Sequence, residues 1–141
     1  MHTKQYLKQA YRLNELIEAN KKELAELKVM STTIPSIDYS KDVVQTSKDN
    51  EASYAKIIAK VVELERIINE DIEKMLVLKI QIRRTIDTVE DNEEKLLLRL
   101  RYLNFMHWNE VCDEMNVSPR TAHRIHGEAL QHVKIFKVGT P

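Results

Sequence analysis

The chain has 141 residues, of which 31% are charged and 43% apolar, with only 2 Gly, 3 Pro and a formal net charge of zero. That length holds one domain or two small ones, and scarce Gly and Pro beside abundant Leu, Ile, Glu and Lys is the composition of long helices, so the expected fold class is all-α. Two glycines leave no room for a nucleotide-cradling loop, and a neutral chain lacks the basic excess that coats nucleic acid indiscriminately.

The single cysteine, Cys112, has no internal disulfide partner, which points to a reducing compartment. The opening residues lack the apolar core of a signal peptide, and no apolar run approaches the roughly 18 residues of a membrane span. The expectation is a protein that meets no membrane.

The first predicted helix covers about Thr3 to Met30. Tyr6, Ala10, Leu13, Ile17, Leu24 and Leu27 recur at alternating steps of four and three, with Asn20 in the one polar slot. This is a heptad seam, and a buried asparagine in such a seam can fix register at some cost in stability. Residues 31–49 follow as an expected irregular linker. Pro35 and the surrounding Ser, Thr and Asp break the periodicity, while Ile34, Ile37, Tyr39, Val43 and Val44 offer apolar handles for packing. A second long helix is expected from about Asn50 to Val89, because Tyr54, Val61, Ile68, Met75, Ile82 and Val89 repeat every seven residues with no Gly or Pro between them. Residues 1–90 thus read as a long coiled-coil-like helical hairpin and oligomerisation region.

Residues 91–141 read as a helix-turn-helix domain. Asp91 or Asn92 can cap a third helix with Glu93 and Glu94 in its first turn, where the helix dipole favours acids. Leu96, Leu97, Leu100 and Leu103 are its expected buried side. A short helix from about His107 to Met115 follows, with Trp108, Val111, Cys112 and Met115 on one apolar face. Asn116 can take the left-handed conformation that ends a helix, and Val117 can plug the corner between the helices. Ser118-Pro119 is then a strong start signal, a capping hydroxyl followed by the residue best suited to the first helical position.

On a helical wheel the last helix puts Ala122, Ile125, Ala129 and Val133 together, with His126 and Leu130 at the edge. Arg120, Arg124, Gly127, Gln131 and Lys134 fall opposite, flanked by Thr121 and His123. Arg can bridge guanine bidentately, Gln can read adenine and Lys pairs with phosphate. A mid-helix glycine costs about 1 kcal/mol relative to alanine, so Gly127 suggests a close approach by DNA or another helix. The candidate DNA-binding residues are therefore Ser118, Arg120, Thr121, His123, Arg124, Gly127, Gln131 and Lys134. The same charges would also suit a merely solvated face.

Residues 91–130 resemble region 4 of bacterial sigma factors and phage regulators built on the same unit. The resemblance rests on Leu98 to Tyr102, the Trp108-Asn109-Glu110-Val111 run, Asn116-Val117-Ser118, Thr121-Ala122 and Ala129-Leu130. With the segment Tyr39 to Ser47 and the long helix, residues 36–130 also resemble a phage and prophage family of Gram-positive bacteria related to the ArpU and RinA-type activators. The resemblance implies a DNA-binding transcriptional regulator in the bacterial cytoplasm, with Arg120, Thr121, His123 and Arg124 facing the bases. It also makes host RNA polymerase a candidate partner beside double-stranded DNA. One departure is that Glu128 and Gln131 stand where sigma factors carry more basic residues.

His123, His126 and His132 do not share one face, and no Cys or carboxylate pair completes a tetrahedral set, so no metal is expected. Nor does any nucleophile motif or paired-carboxylate cleft point to an enzyme or a cofactor. Three functions compete. The first is a sequence-specific regulator of phage or prophage genes, acting as a homodimer or higher oligomer through its long helices. The second is a small-terminase-like DNA-packaging component, similar in architecture alone. The third is a helical interaction protein without DNA binding.

Overall fold

The computed structural model describes residues 2–33 and 44–135, and every regular element among them is helical. In chain order these are α1 (Thr3–Thr33), α2 (Val44–Ile86), α3 (Asn92–Tyr102), α4 (Trp108–Met115) and α5 (Pro119–His132). With 31 and 43 residues, α1 and α2 are about 46 and 65 Å long at ~1.5 Å per residue. No described helix is long and apolar enough to cross a membrane.

The irregular linker is shorter than the expected 31–49, because residues 31–33 still belong to α1 and α2 begins at Val44. Ser31 and Thr32 turn their hydroxyls back onto the carbonyls of Lys28 and Val29, at 2.7 and 2.8 Å, and so extend the helix they were expected to end. At the other side, a growing helix accepts Ser, Thr and Asp for a few tenths of a kcal/mol each, a cost that apolar periodicity does not register. Ile34, Ile37, Tyr39 and Val43 lie outside the described residues, as does much of the Tyr39 to Ser47 segment.

The chain divides into two compact units, Leu16–Ile72 and Met1–Glu15 with Glu73–Pro141. In the first, Ile17, Leu64 and Ile68 are buried, Asn20, Leu24 and Leu27 are half-buried, and Lys28 meets Glu65 at 3.3 Å. In the second, Tyr6, Leu7 and Ala10 of α1 join Met75, Ile82 and Ile86 of α2 and the apolar sides of α3, α4 and α5 in one core. Within each unit α1 therefore finds its partner in α2 of the same chain.

The three terminal helices follow from their caps. Asp91 accepts the Glu94 N–H at 2.9 Å and starts α3, with Glu93 and Glu94 in the first turn and Arg99 and Arg101 in the last, each sign matched to the helix dipole. The buried stripe of α3 is Glu94, Leu97, Leu98 and Tyr102, together with Leu100. Leu96 is 45% exposed, contrary to expectation, because an acid occupies the core-facing position that apolar counting would not assign to it. After α4, Asn116 adopts φ 56°, ψ 48° and the Val117 N–H reaches the Cys112 carbonyl at 3.0 Å. Ser118 then caps α5, accepting the Thr121 N–H at 3.2 Å, with Pro119 at the first helical position.

Candidate nucleic-acid interface

α5 is anchored on α3 and α4 through Ala122, Ile125, His126 and Ala129, all buried. His126 belongs to the core and not to the edge where the wheel put it. Its Nε2 lies 2.6 Å from the Tyr102 hydroxyl, and the Trp108 ring stands edge-on to it at 4.8 Å. Burial holds the imidazole down to about 4, helped by the positive charges of Lys4, His123, Arg101 and Lys8, and burial pushes the Tyr102 phenol up to about 12. Both partners stay neutral at pH 7, so the bond joins α3 to α5 without burying a charge.

This anchoring turns Arg120, His123, Arg124, Gly127, Glu128 and Gln131 outward. Arg120 projects from the first turn. His123 rests against Trp108, ring centroids 4.5 Å apart, so its ring is held at the surface by α4. Arg124 is engaged by Glu128 one turn on, at 3.2 Å, with both side chains more than half exposed. A pair so exposed contributes little and is easily exchanged for a phosphate or a base. The Ser118 and Thr121 hydroxyls bond each other at 3.0 Å, and both serve the helix start. An alanine Cβ placed at Gly127 would have no neighbour within 4 Å, so nothing among the described residues requires glycine there.

Lys134 departs from the expected face. α5 ends at His132 and Val133 is extended, so Lys134 is no longer on the helix, and its backbone N–H is tied to Thr88 Oγ1 at 3.0 Å. A β-branched valine with extended dihedrals stops the helix that the wheel continued. Around this end opens a cleft of about 490 Å³, whose lining includes Glu90, Asp91, Glu94, Gln131 and His132. His132 Nδ1 sits 2.8 Å from the buried Glu94 carboxylate, and that bond raises the imidazole above its usual value. Three acids beside Gln131 and Lys134 oppose a polyanion. The electrostatically open part of α5 is its first half, with Arg120, His123 and Arg124.

Sequence reading missed a set of contacts beside that half. Arg101 of α3 lies over the Trp108 ring at 4.9 Å and over Tyr11 of α1 at 5.5 Å, and donates to the Met106 carbonyl at 2.7 Å. Tyr11 meets Phe105 edge-on at 5.9 Å, with Lys79 over the Phe105 ring at 4.7 Å. Phe105 has φ 57°, unusual for a bulky side chain. These rings join residues far apart in the chain, which no local spacing encodes. Among the described residues no three His, Cys, Asp or Glu side chains converge as a metal site.

A family model described as "Protein of unknown function (DUF1492)" matches residues 33–134, and the chain belongs to that family. Neither a curated protein nor a solved structure matches it.

Proposed function

We propose that this member of the family is a sequence-specific DNA-binding transcriptional regulator of phage or prophage genes, acting in the cytoplasm of a bacterial host. The observation that carries the reading is the exposed first half of α5. It is capped by Ser118, pinned from behind by Ala122, Ile125 and His126, and presents Arg120, His123 and Arg124 together. That is the side-chain set and presentation a major-groove helix requires. Exposed apolar residues on the long helices, among them Val62, Leu76 and Ile80, supply surface for a homodimer or higher oligomer. A dimer would favour half-sites about one helical turn, or a multiple, apart. Host RNA polymerase is a further partner consistent with the sigma-like unit.

Selecting bound duplexes from random DNA, with the solution mass measured alongside, tests the reading. Enrichment of one sequence and loss of roughly 1–3 kcal/mol of its binding in Arg124→Ala are expected if that side chain meets a base. Ring-sized oligomers would move the chain toward DNA packaging. The alternative of an interaction protein without DNA binding draws on the Arg124–Glu128 pair, which occupies one candidate reader within the chain. Glu128→Gln separates the two, because releasing Arg124 should tighten DNA binding and would leave a protein-docking surface that never binds DNA unmoved.

A further inference from the structure

Residues 1–14 carry three bases, Lys4, Lys8 and Arg12, and no acid before Glu15. Steps of four put them on one stripe of α1. Lys4 and Arg12 are exposed and Lys8 is half-buried. The stripe is fixed in place by its own helix. Leu7 and Ala10 are fully buried and Tyr6 nearly so, with the Tyr6 hydroxyl 3.4 Å from Thr85 Oγ1. Tyr11, on the turn between Lys8 and Arg12, touches Arg101. Arg101 covers Trp108, and Trp108 holds His123 of α5.

The basic stripe is thus linked to the open half of α5 by continuous ring and guanidinium contacts. Lys4, Lys8, Arg12 and Arg101 gather on one side, and among the described residues the only acid bonded to any of them is Glu15, which meets Arg12 at 3.3 Å in an exposed pair. Partial burial and then the charges of Lys4, Arg12 and Arg101 hold the Lys8 ammonium below its ordinary value. Like charges brought together on a rigid frame repel one another, and a bound polyanion relieves that repulsion.

We infer that the opening turns of α1 are a second DNA contact, in which Lys4, Lys8 and Arg12 neutralise backbone phosphates flanking the groove that α5 enters. The inference rests on the DNA-binding reading above. It gives the first third of α1 a task apart from helix pairing, and it places positive charge where a chain of zero net charge most needs it. Phosphate contacts position a reader without carrying sequence information. The stripe should therefore add affinity equally on every sequence.

The test uses the full chain and two duplexes, one recovered by selection and one a scramble of the same length. Affinity is followed across a salt series for the wild type, Lys4→Gln/Lys8→Gln, Lys4→Arg/Lys8→Arg and Arg120→Ala. The double glutamine variant should lose affinity equally on both duplexes, and its log–log salt slope should fall by about 1.8, at ~0.9 per phosphate contact. The arginine pair should restore the slope. Equal melting temperatures would show that the fold is intact, and Lys4→Glu alone, at an exposed position, repeats the measurement should the double variant melt early. An unchanged slope, with Arg120→Ala still impaired, overturns the α1 contact and leaves the DNA reader standing. A wild type that binds neither duplex overturns both.

Discussion

The long helices and the three terminal helices solve the burial problem differently. Among the described residues, α1 and α2 leave ten large apolar side chains exposed, from Leu16 through Val62 to Ile80, whereas α3 to α5 leave only Leu96. The terminal helices, with the opening of α1 and the end of α2, close one core and leave little large apolar surface of their own exposed. The long helices, paired along one face, keep a second apolar face that a two-helix arrangement has no means to cover. A closed core at one place and surplus apolar surface at another is the division that the proposed reading, a DNA reader carried on an assembling helical part, would lead one to expect.

The sharpest way to break that comparison is core truncation against surface truncation. Leu97→Ala removes a fully buried side chain of α3 and should cost about 2–5 kcal/mol in a urea titration. Val62→Ala, at a site 61% exposed, should cost under about 0.5 kcal/mol in the single chain yet shift the solution mass if that face assembles. A large stability loss from Val62→Ala at dilutions where the chain is single would erase the distinction.

Acid probes the contact between α3 and α5 through His126. His126 is held down to about 4 against an ordinary value of 6.5, so its contribution is fully present above about 6.5 and lost as pH falls toward 4. The loss should be on the order of 3 kcal/mol at 1.36 kcal/mol per unit. His126→Gln should flatten that part of the pH profile, and an unchanged profile would remove His126 from the account.

Gly127→Ala should stabilise α5 by about 1 kcal/mol, since a Cβ there meets nothing and glycine is the poorer helix former. If DNA approaches the backbone at that point, the same variant should bind selected DNA less well. Improved melting with unchanged binding would leave Gly127 without a role. The smallest effect concerns His132. Its value is raised by Glu94, so the contribution is fully present below about 6.5 and fades as pH rises through the raised value. A protection factor in the last turn of α5 that falls at alkaline pH, after correction for the base catalysis of exchange itself, and that is already low at every pH in His132→Gln, would register it.

The features legible from sequence are those whose partners lie within four residues. Asp91, Asn116 and Ser118-Pro119 set the bounds of α3, α4 and α5 because a cap and its orphan N–H groups share one turn of chain. Heptad spacing likewise announced the two long helices. Legibility fails where partners are distant. Glu94 reads from sequence as a first-turn acid, and its bond to His132, 38 residues on, is set by the fold. His126 looked marginal until Tyr102, 24 residues back, supplied its hydrogen bond. Lys134 was placed by assuming that the helix continued, and one extended valine removed it. The basic stripe of α1 is invisible to local spacing, because adjacency to α3 is a property of the folded chain.

Trp108 is the only tryptophan of the chain and lies against His123, His126 and Arg101 at once. Its indole is therefore a built-in optical reporter. A protonated imidazole quenches indole emission, so emission should dim as pH falls toward 4 and His126 gains its proton. Docking of a duplex on the face that holds His123 should shift the emission without any attached dye.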